Sequence, residues 1–254
     1  MTTAVYLQDP YLYTGSAEVV EVVCNADGNH TVILNQTIFY PQGGGQPSDQ
    51  GVISSGDAEF LVKKVLKDRS SGLINHIGSF QSNDRQFKPK DLVNIIVNQE
   101  RRLLNARYHT AGHVIDLALM GRLNGVDDWE SGSGNHDPMG AYVEYKARGD
   151  ITNIKEGLIN DIEVTVKELI TIGLKSQCRL IKDHSLIPKA SMSMISPDML
   201  KLPDGIRMHR VEGFDDYWIP CGGTLVSNLN EIGMFKITKH SFKKGLLRIC
   251  YQLA

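Results

Sequence analysis

The hydrophobic rhythm of this chain changes once, near residue 98. Before that point apolar residues come in short or alternating runs: AEVVEVVC from Ala17, HTVILNQTIFY from His30, EFLVKKVL from Glu59 and DLVNIIVN from Asp91. Clusters of Gly, Asp, Asn and Ser separate them, a spacing that predicts strands joined by turns. In the last run Val93, Ile95 and Val97 alternate, as one buried strand face requires. Several short strands without an intervening helix predict a small β-barrel over residues 1–98.

From Gln99 the period lengthens. No proline interrupts the chain to Leu123, and Leu104, Ala111, Ile115, Ala118 and Leu119 can share one face, so a long helix is predicted there. A second helix is predicted from Thr152 to about Leu174, with Ile154, Leu158, Ile162, Leu169 and Ile172 at helical spacing and Thr152 as N-cap. Between the two, SGSGNHDPMG reads as a turn-rich loop and AYVEYKA as a strand. After Ser176 strands return in SQCRLIKD, GIRMHRVEG, EIGMFKITKH and LLRICYQL. Helices beside a mostly antiparallel sheet make residues 99–254 an α+β domain.

Composition narrows the class. With 254 residues, 41% apolar and 22% charged, the chain reads as an ordinary globular protein. A net charge of −2 argues against a general binder of DNA or other polyanions. Charge is uneven, however: KITKHSFKKGLLR, from Lys236 to Arg248, carries five cations and no acid. Lys236 and Lys239 could therefore meet nucleic-acid phosphates, or the strip could be a solvated edge strand guarded by lysines. No apolar run approaches the roughly 20 residues needed to span a bilayer. The opening MTTAVYLQDPYLYTG has neither a basic segment nor an apolar core and does not read as a secretion signal. Cys24, Cys178, Cys221 and Cys250 lack paired spacing, which fits a reduced, cytoplasmic setting.

Three places carry candidate chemistry. His109 and His113, in RYHTAGHVIDLAL, are separated by one helical turn and can bite one ion. With eight histidines in the chain, that spacing alone leaves open a pair of surface or core histidines. Thr110 stands where a zinc protease helix needs its glutamate, so that class is disfavoured. Cys221, in IPCGGTLV, sits in a turn that Pro220 and Gly222-Gly223 would make tight, aiming a thiolate outward; as a lone cysteine it could equally be a small core residue. Together the three make the protein share of a catalytic zinc site with one position open. Leu225, four residues after Cys221, cannot ligate. Finally, IFYPQGGGQPSDQG offers three successive glycines, whose backbone can take conformations closed to other residues. It lacks the P-loop pattern, leaving a barrel turn or a shaped surface that a ligand approaches closely.

FYPQGGGQPSDQG, ERRLLNARYHTAGHVI and PCGGTLV, in this order and spacing, resemble the freestanding alanyl-tRNA editing proteins of the AlaX type in their longer form. They are also similar to the editing domain of alanyl-tRNA synthetase. The resemblance implies an N-terminal barrel bearing the glycine motif and a C-terminal α+β domain bearing zinc. It implies hydrolysis of mischarged alanine tRNA, with serine as the main wrong amino acid and glycine as a further one. The family's HxxxH and CxxxH ligands fall on His109, His113, Cys221 and, as a departure, Leu225. Gly43, Gly44, Gly45 and Gln46 carry over as substrate- or tRNA-binding positions. Thr110 and Thr224, hydroxyls beside the ligands, are candidates for placing water or substrate, or are plain helix and turn residues. Leu225 leaves three readings. Zinc could sit on three ligands with water in the fourth place, which suffices for catalysis. Another group near Cys221 in sequence, His209, Asp215 or Asp216, could fill that place. Or weakened zinc binding could leave a non-catalytic tRNA-binding relative.

Overall fold

The computed structural model describes residues 1–82, 85–123, 128–149, 153–202 and 205–254. It divides into two compact units, Met1–Leu104 and Asn105–Ala254.

The first unit holds eight strands: β1 (Thr3–Ala4), β2 (Thr14–Cys24), β3 (His30–Leu34), β4 (Gln36–Thr37), β5 (Gly51–Ser55), β6 (Ala58–Lys67), β7 (Ile74–Phe80) and β8 (Leu92–Val97). Six of them close into an antiparallel barrel in the order β2-β3-β7-β6-β5-β8, while β1 pairs in parallel with β4 outside it. The barrel expected from the sequence is therefore present. Its alternation is as expected too: Val93, Ile95 and Val97 face the core, while Leu92 and Ile96 on the opposite face are 74% and 49% exposed. β5 and β7 escaped the sequence reading because neither is an apolar run. In β7 the inward positions are Ile74, His76, Gly78 and Phe80, so half of its buried face is polar or bare.

His76 is accommodated by two hydrogen bonds. Its Nδ1 donates to the Val32 carbonyl at 2.9 Å, which fixes the tautomer, and its Nε2 accepts from the Thr37 hydroxyl at 2.8 Å. Burial lowers its pKa to about 4, against the opposing effect of the Val32 bond. For a base depressed on folding, stability is complete above its ordinary pKa of 6.5 and is lost as pH falls from there toward 4, because only the unfolded chain then takes the proton. Between pH 7 and pH 4 this residue should cost the barrel about 3 kcal/mol. Urea titrations across that range check it: a His76→Gln chain should show a shallower fall, and an identical slope would refute the assignment.

A second buried polar feature ties the glycine-motif loop to the start of α1 (Gln99–Asp116). Asp49 and Arg102 are 0% and 1% exposed, and the guanidinium Nε lies 3.0 and 2.9 Å from the two carboxylate oxygens. Its terminal nitrogens reach the Pro10 and Ile38 carbonyls, one of them also meeting Asp49, and the Tyr40 amide donates to Asp49. Every strong donor and acceptor of this pair thus has a partner, as a charge pair out of water requires.

α1 leads into the second unit and continues through Leu117–Arg122 in wider π-helical turns, so its extent agrees with the sequence reading. Its buried face is broader than expected. Every residue from Tyr108 to Ile115 is buried, whereas Leu104, assigned to the core face, is 38% exposed. Arg102 and Asn105 take the buried side there. SGSGNHDPMG is not all loop. β9 (Trp129–Asn135) runs through its first half, with Gly132 against the backbone of Glu144 on β10 (Tyr142–Ala147), and the turn comes only at 137–140. α2 (Leu158–Ile172) starts later than expected. Thr152 lies outside the described residues, 153–156 are not helical, and Gly157, left-handed at φ 82°, opens the helix. Ile172, assigned to its core face, is 64% exposed in the last turn before Gly173.

Five further strands follow: β11 (Ser176–Ile181), β12 (Ile206–Val211), β13 (Ile219–Pro220), β14 (Phe235–Lys243) and β15 (Leu246–Leu253). They form two antiparallel sheets, β14-β15-β10-β9 and β11-β12-β13. The unit is α+β, as expected. Among the described residues no helix is long and apolar enough to cross a membrane.

Candidate metal centre

The second unit gathers His109, His113 and Cys221. One donor atom from each lies within 4.8 Å of the others, and all three residues are buried. The helix supplies the imidazoles from one face, their rings stacked with centroids 4.9 Å apart. Cys221 comes from the end of β13, with Sγ 3.6 Å from His109 Nε2. The expectation that its turn faces the thiol outward is not met: Cys221 is 7% exposed and turned toward α1. Arg207 on β12 holds it so, donating from Nη1 to the Cys221 and Gly223 carbonyls at 2.8 and 2.9 Å. The Gly223 amide in turn donates to Sγ at 3.3 Å.

Charge follows from this packing. Burial disfavours the Cys221 thiolate, but His113, Arg207 and the Gly223 amide outweigh it and its pKa is lowered. Burial likewise opposes protonation of His113, yet the thiolate and Asp116 outweigh it and its pKa is raised. Asp116 Oδ2 stands 3.6 Å from His113 Nδ1, too far for a hydrogen bond, so its effect is electrostatic. Its other oxygen accepts from the Tyr145 hydroxyl at 2.6 Å. Burial pushes His109 well below its ordinary pKa, with neighbouring imidazoles adding to the effect.

These residues fit a metal ion. Both ring nitrogens of His113 are buried without a hydrogen-bond partner, a condition that costs about 1–3 kcal/mol for each group left so. Two imidazoles and a thiolate form the borderline-soft donor set that suits zinc, with His113 giving up its proton on ligation. Leu225 is 5% exposed and apolar, and contributes nothing.

Two further histidines line the cluster. His136, just after β9, stacks on His109 with centroids 4.5 Å apart. A Cβ on Gly112 would come within 2.3 Å of that ring, so the HTAGH turn admits His136 only because the residue is glycine. Tyr251 donates its hydroxyl proton to the Tyr108 carbonyl, so it accepts from His136 Nδ1 at 2.7 Å and leaves Nε2 as the basic nitrogen. Burial lowers the His136 pKa to about 3. His209 on β12 lies 5.1 Å from His113, centroid to centroid. No spacing in the sequence marks His136, because strand pairing brings it in.

The other candidates are placed as follows. Thr110 donates to the Ala106 carbonyl at 2.7 Å and accepts from the Val226 amide at 3.0 Å, so its hydroxyl joins α1 to the cysteine loop. Thr224 is fully buried. Asp215 and Asp216 are exposed, and Asp215 pairs with Arg210. In the first unit Gly43 and Gln46 exchange two backbone hydrogen bonds around Gly44 and Gly45, whose φ values of 52° and 76° make a tight turn that favours glycine. The Tyr40 hydroxyl donates to the Gly43 carbonyl at 2.7 Å, and Gln46 is buried. Lys236 and Lys239 project from β14, an edge strand, into solvent. Lys239 lines a shallow hollow with Glu144, Lys243 and Arg248, and Arg248 pairs with Glu144 at 2.6 Å.

Comparison with known proteins finds similarity to class II tRNA synthetases and to an alanyl-tRNA editing protein. Residues 11–101 match the family model of class II (A) tRNA synthetases. Residues 206–249, which include Cys221, match the second additional domain of threonyl and alanyl tRNA synthetases. The chain is similar to the alanyl-tRNA editing protein AlaX-L of Pyrococcus horikoshii, 29% identical over 98% of this chain and 57% of that protein. It is also similar to alanine–tRNA ligases, 28% identical in Caldivirga maquilingensis over 98% of this chain and 26% of the ligase, and 32% identical in Methanococcus vannielii over 87% and 23%. The chain thus spans about half of the editing protein and about a quarter of each ligase. The resemblance read from the three motifs holds along nearly the whole chain.

Proposed function

We propose that this protein hydrolyses the ester of mischarged alanine tRNA, with serine as the main wrong amino acid and glycine as a second, at a zinc ion held by His109, His113 and Cys221. The convergence of those three donors within 4.8 Å carries the reading, and the similarity to AlaX-L and to alanine–tRNA ligases supplies the substrate class. Zinc, when bound, contributes positive charge that acidifies water or polarises a carbonyl. The chain's own residues do the rest. His113, Arg207 and the Gly223 amide favour the Cys221 thiolate, and Arg207 keeps it aimed at the helix. Asp116, oriented by Tyr145, biases His113 from behind. His136 keeps a neutral ring beside His109, with Nε2 as its basic nitrogen.

The reaction needs little more than order. Water oxygen bonds to the ester carbonyl carbon, the bond from that carbon to the ribose oxygen breaks, one water proton passes to the ribose oxygen and the other to solvent, and the amino acid leaves as a carboxylate. An aminoacyl ester is already labile, so a fixed water and a stabilised oxyanion suffice. A serine hydroxyl can meet a polar partner that alanine would leave unpaired, which favours serine. Gly43 to Gln46, Lys236 and Lys239 are proposed contacts to the tRNA end, and Thr110 and Thr224 are proposed to shape the pocket behind the ligands. An aminoacyl-tRNA substrate would place the protein in the cytoplasm.

Deacylation of serine-charged alanine tRNA is the direct test. The expected result is release of serine well above the spontaneous rate, at least about 100-fold faster than release of alanine from correctly charged tRNA. The buried Leu225 favours one other reading, a tRNA-binding protein without catalysis. Retained tRNA binding without serine release would establish that reading.

A further inference from the structure

We infer that His209, through Nδ1, is the fourth protein ligand of the metal centre, taking the place that Leu225 leaves empty of donors. The inference rests on the proposed zinc reading and adds a ligand to it. His209 is 1% exposed, and its ring packs against His113 at 5.1 Å. Its Nδ1 has no hydrogen-bond partner. Its Nε2 lies 2.8 Å from the Ser176 hydroxyl. This is how a ligating imidazole is held: one nitrogen is anchored by a neighbour, which sets tautomer and ring orientation, and the other is kept for the ion.

Strand register puts the residue there. β12 pairs with β13 through Met208↔Pro220 and His209↔Ile219, and the Cys221 amide bonds to the Arg207 carbonyl. His209 and the cysteine therefore come from adjacent strands of one sheet, an alternative to two donors in one loop. His209 stands outside the group of three donors spanned by 4.8 Å, so its ring would have to shift inward for all four to hold one ion.

The test is metal affinity of the full chain, measured by competition against a chromophoric chelator, with the ligand-field spectrum of the cobalt-substituted protein as a second readout. His209→Ala should weaken zinc by more than the roughly 100-fold expected at most for loss of an outer partner, and should change the cobalt bands. Leu225→His should restore both in the His209→Ala background, yet alter the otherwise natural chain little, because its ligand set is already complete. Equal tightening by Leu225→His in both backgrounds would show an open fourth position and overturn the inference. So would zinc binding that depends on His109, His113 and Cys221 but is indifferent to His209, which leaves the zinc reading standing. A natural chain that binds no zinc removes both. If the alanine variant does not fold, His209→Gln serves the same comparison.

Discussion

A His109→Ala/His113→Ala protein will bind alanine tRNA but will release serine from it no faster than buffer does. The two residues supply two of the three donors that converge within 4.8 Å, and no other described residue joins that group. With one imidazole left a thiolate could still hold an ion weakly; with neither it cannot compete for zinc at cellular concentrations. The expected loss is on the order of 1,000-fold in deacylation rate, the scale seen when a preorganised charge-stabilising group is removed. Because both side chains are buried, the substitutions also leave cavities, so a thermal melt must accompany the assay. A chelator offers the cleaner arm: stripping zinc from the natural chain should reproduce the loss, and zinc alone should reverse it. Undiminished release from the double variant would end the metal-based reading.

Arg102→Ala should destabilise the barrel unit by about 3–5 kcal/mol, the cost of leaving a buried charge without its partner. Asp49 has no exposed surface, and its carboxylate faces the guanidinium at 2.9–3.0 Å. Removing Arg102 also leaves the Pro10 and Ile38 carbonyls without their donor. Chemical denaturation would report the loss directly. Replacing Asp49 and Arg102 together by apolar residues of similar volume should cost far less, because no charge is then stranded. If the single and double changes cost the same, the pair is not what holds this loop.

The sequence revealed more of the site's membership than of its surroundings. His109 and His113 were legible because a helix writes its contacts at a fixed short spacing, and Cys221 because Pro220 and two glycines frame it. His136 and Asp116 were not, since the one is delivered by β9 pairing and the other is aimed at His113 by Tyr145 on β10. His209 could be named as a neighbour of Cys221 in sequence, but its place beside His113 depends on strand register. The barrel was readable from alternation in β8, yet β7 was hidden because His76 and Gly78 occupy inward positions that only hydrogen bonds and close backbone contact explain. α2 was placed too early because apolar period alone carries no sign of Gly157's left-handed backbone.

One consequence concerns time. The stretch of α1 that offers both imidazoles has no face open to water between Tyr108 and Ile115. An ion seated against it would lie on a buried helix segment, whose backbone opens far less readily than an exposed loop. Loading and loss of metal are then coupled to the stability of the unit, so a chelator should strip zinc faster where denaturant loosens it, and zinc should in turn raise its resistance to unfolding.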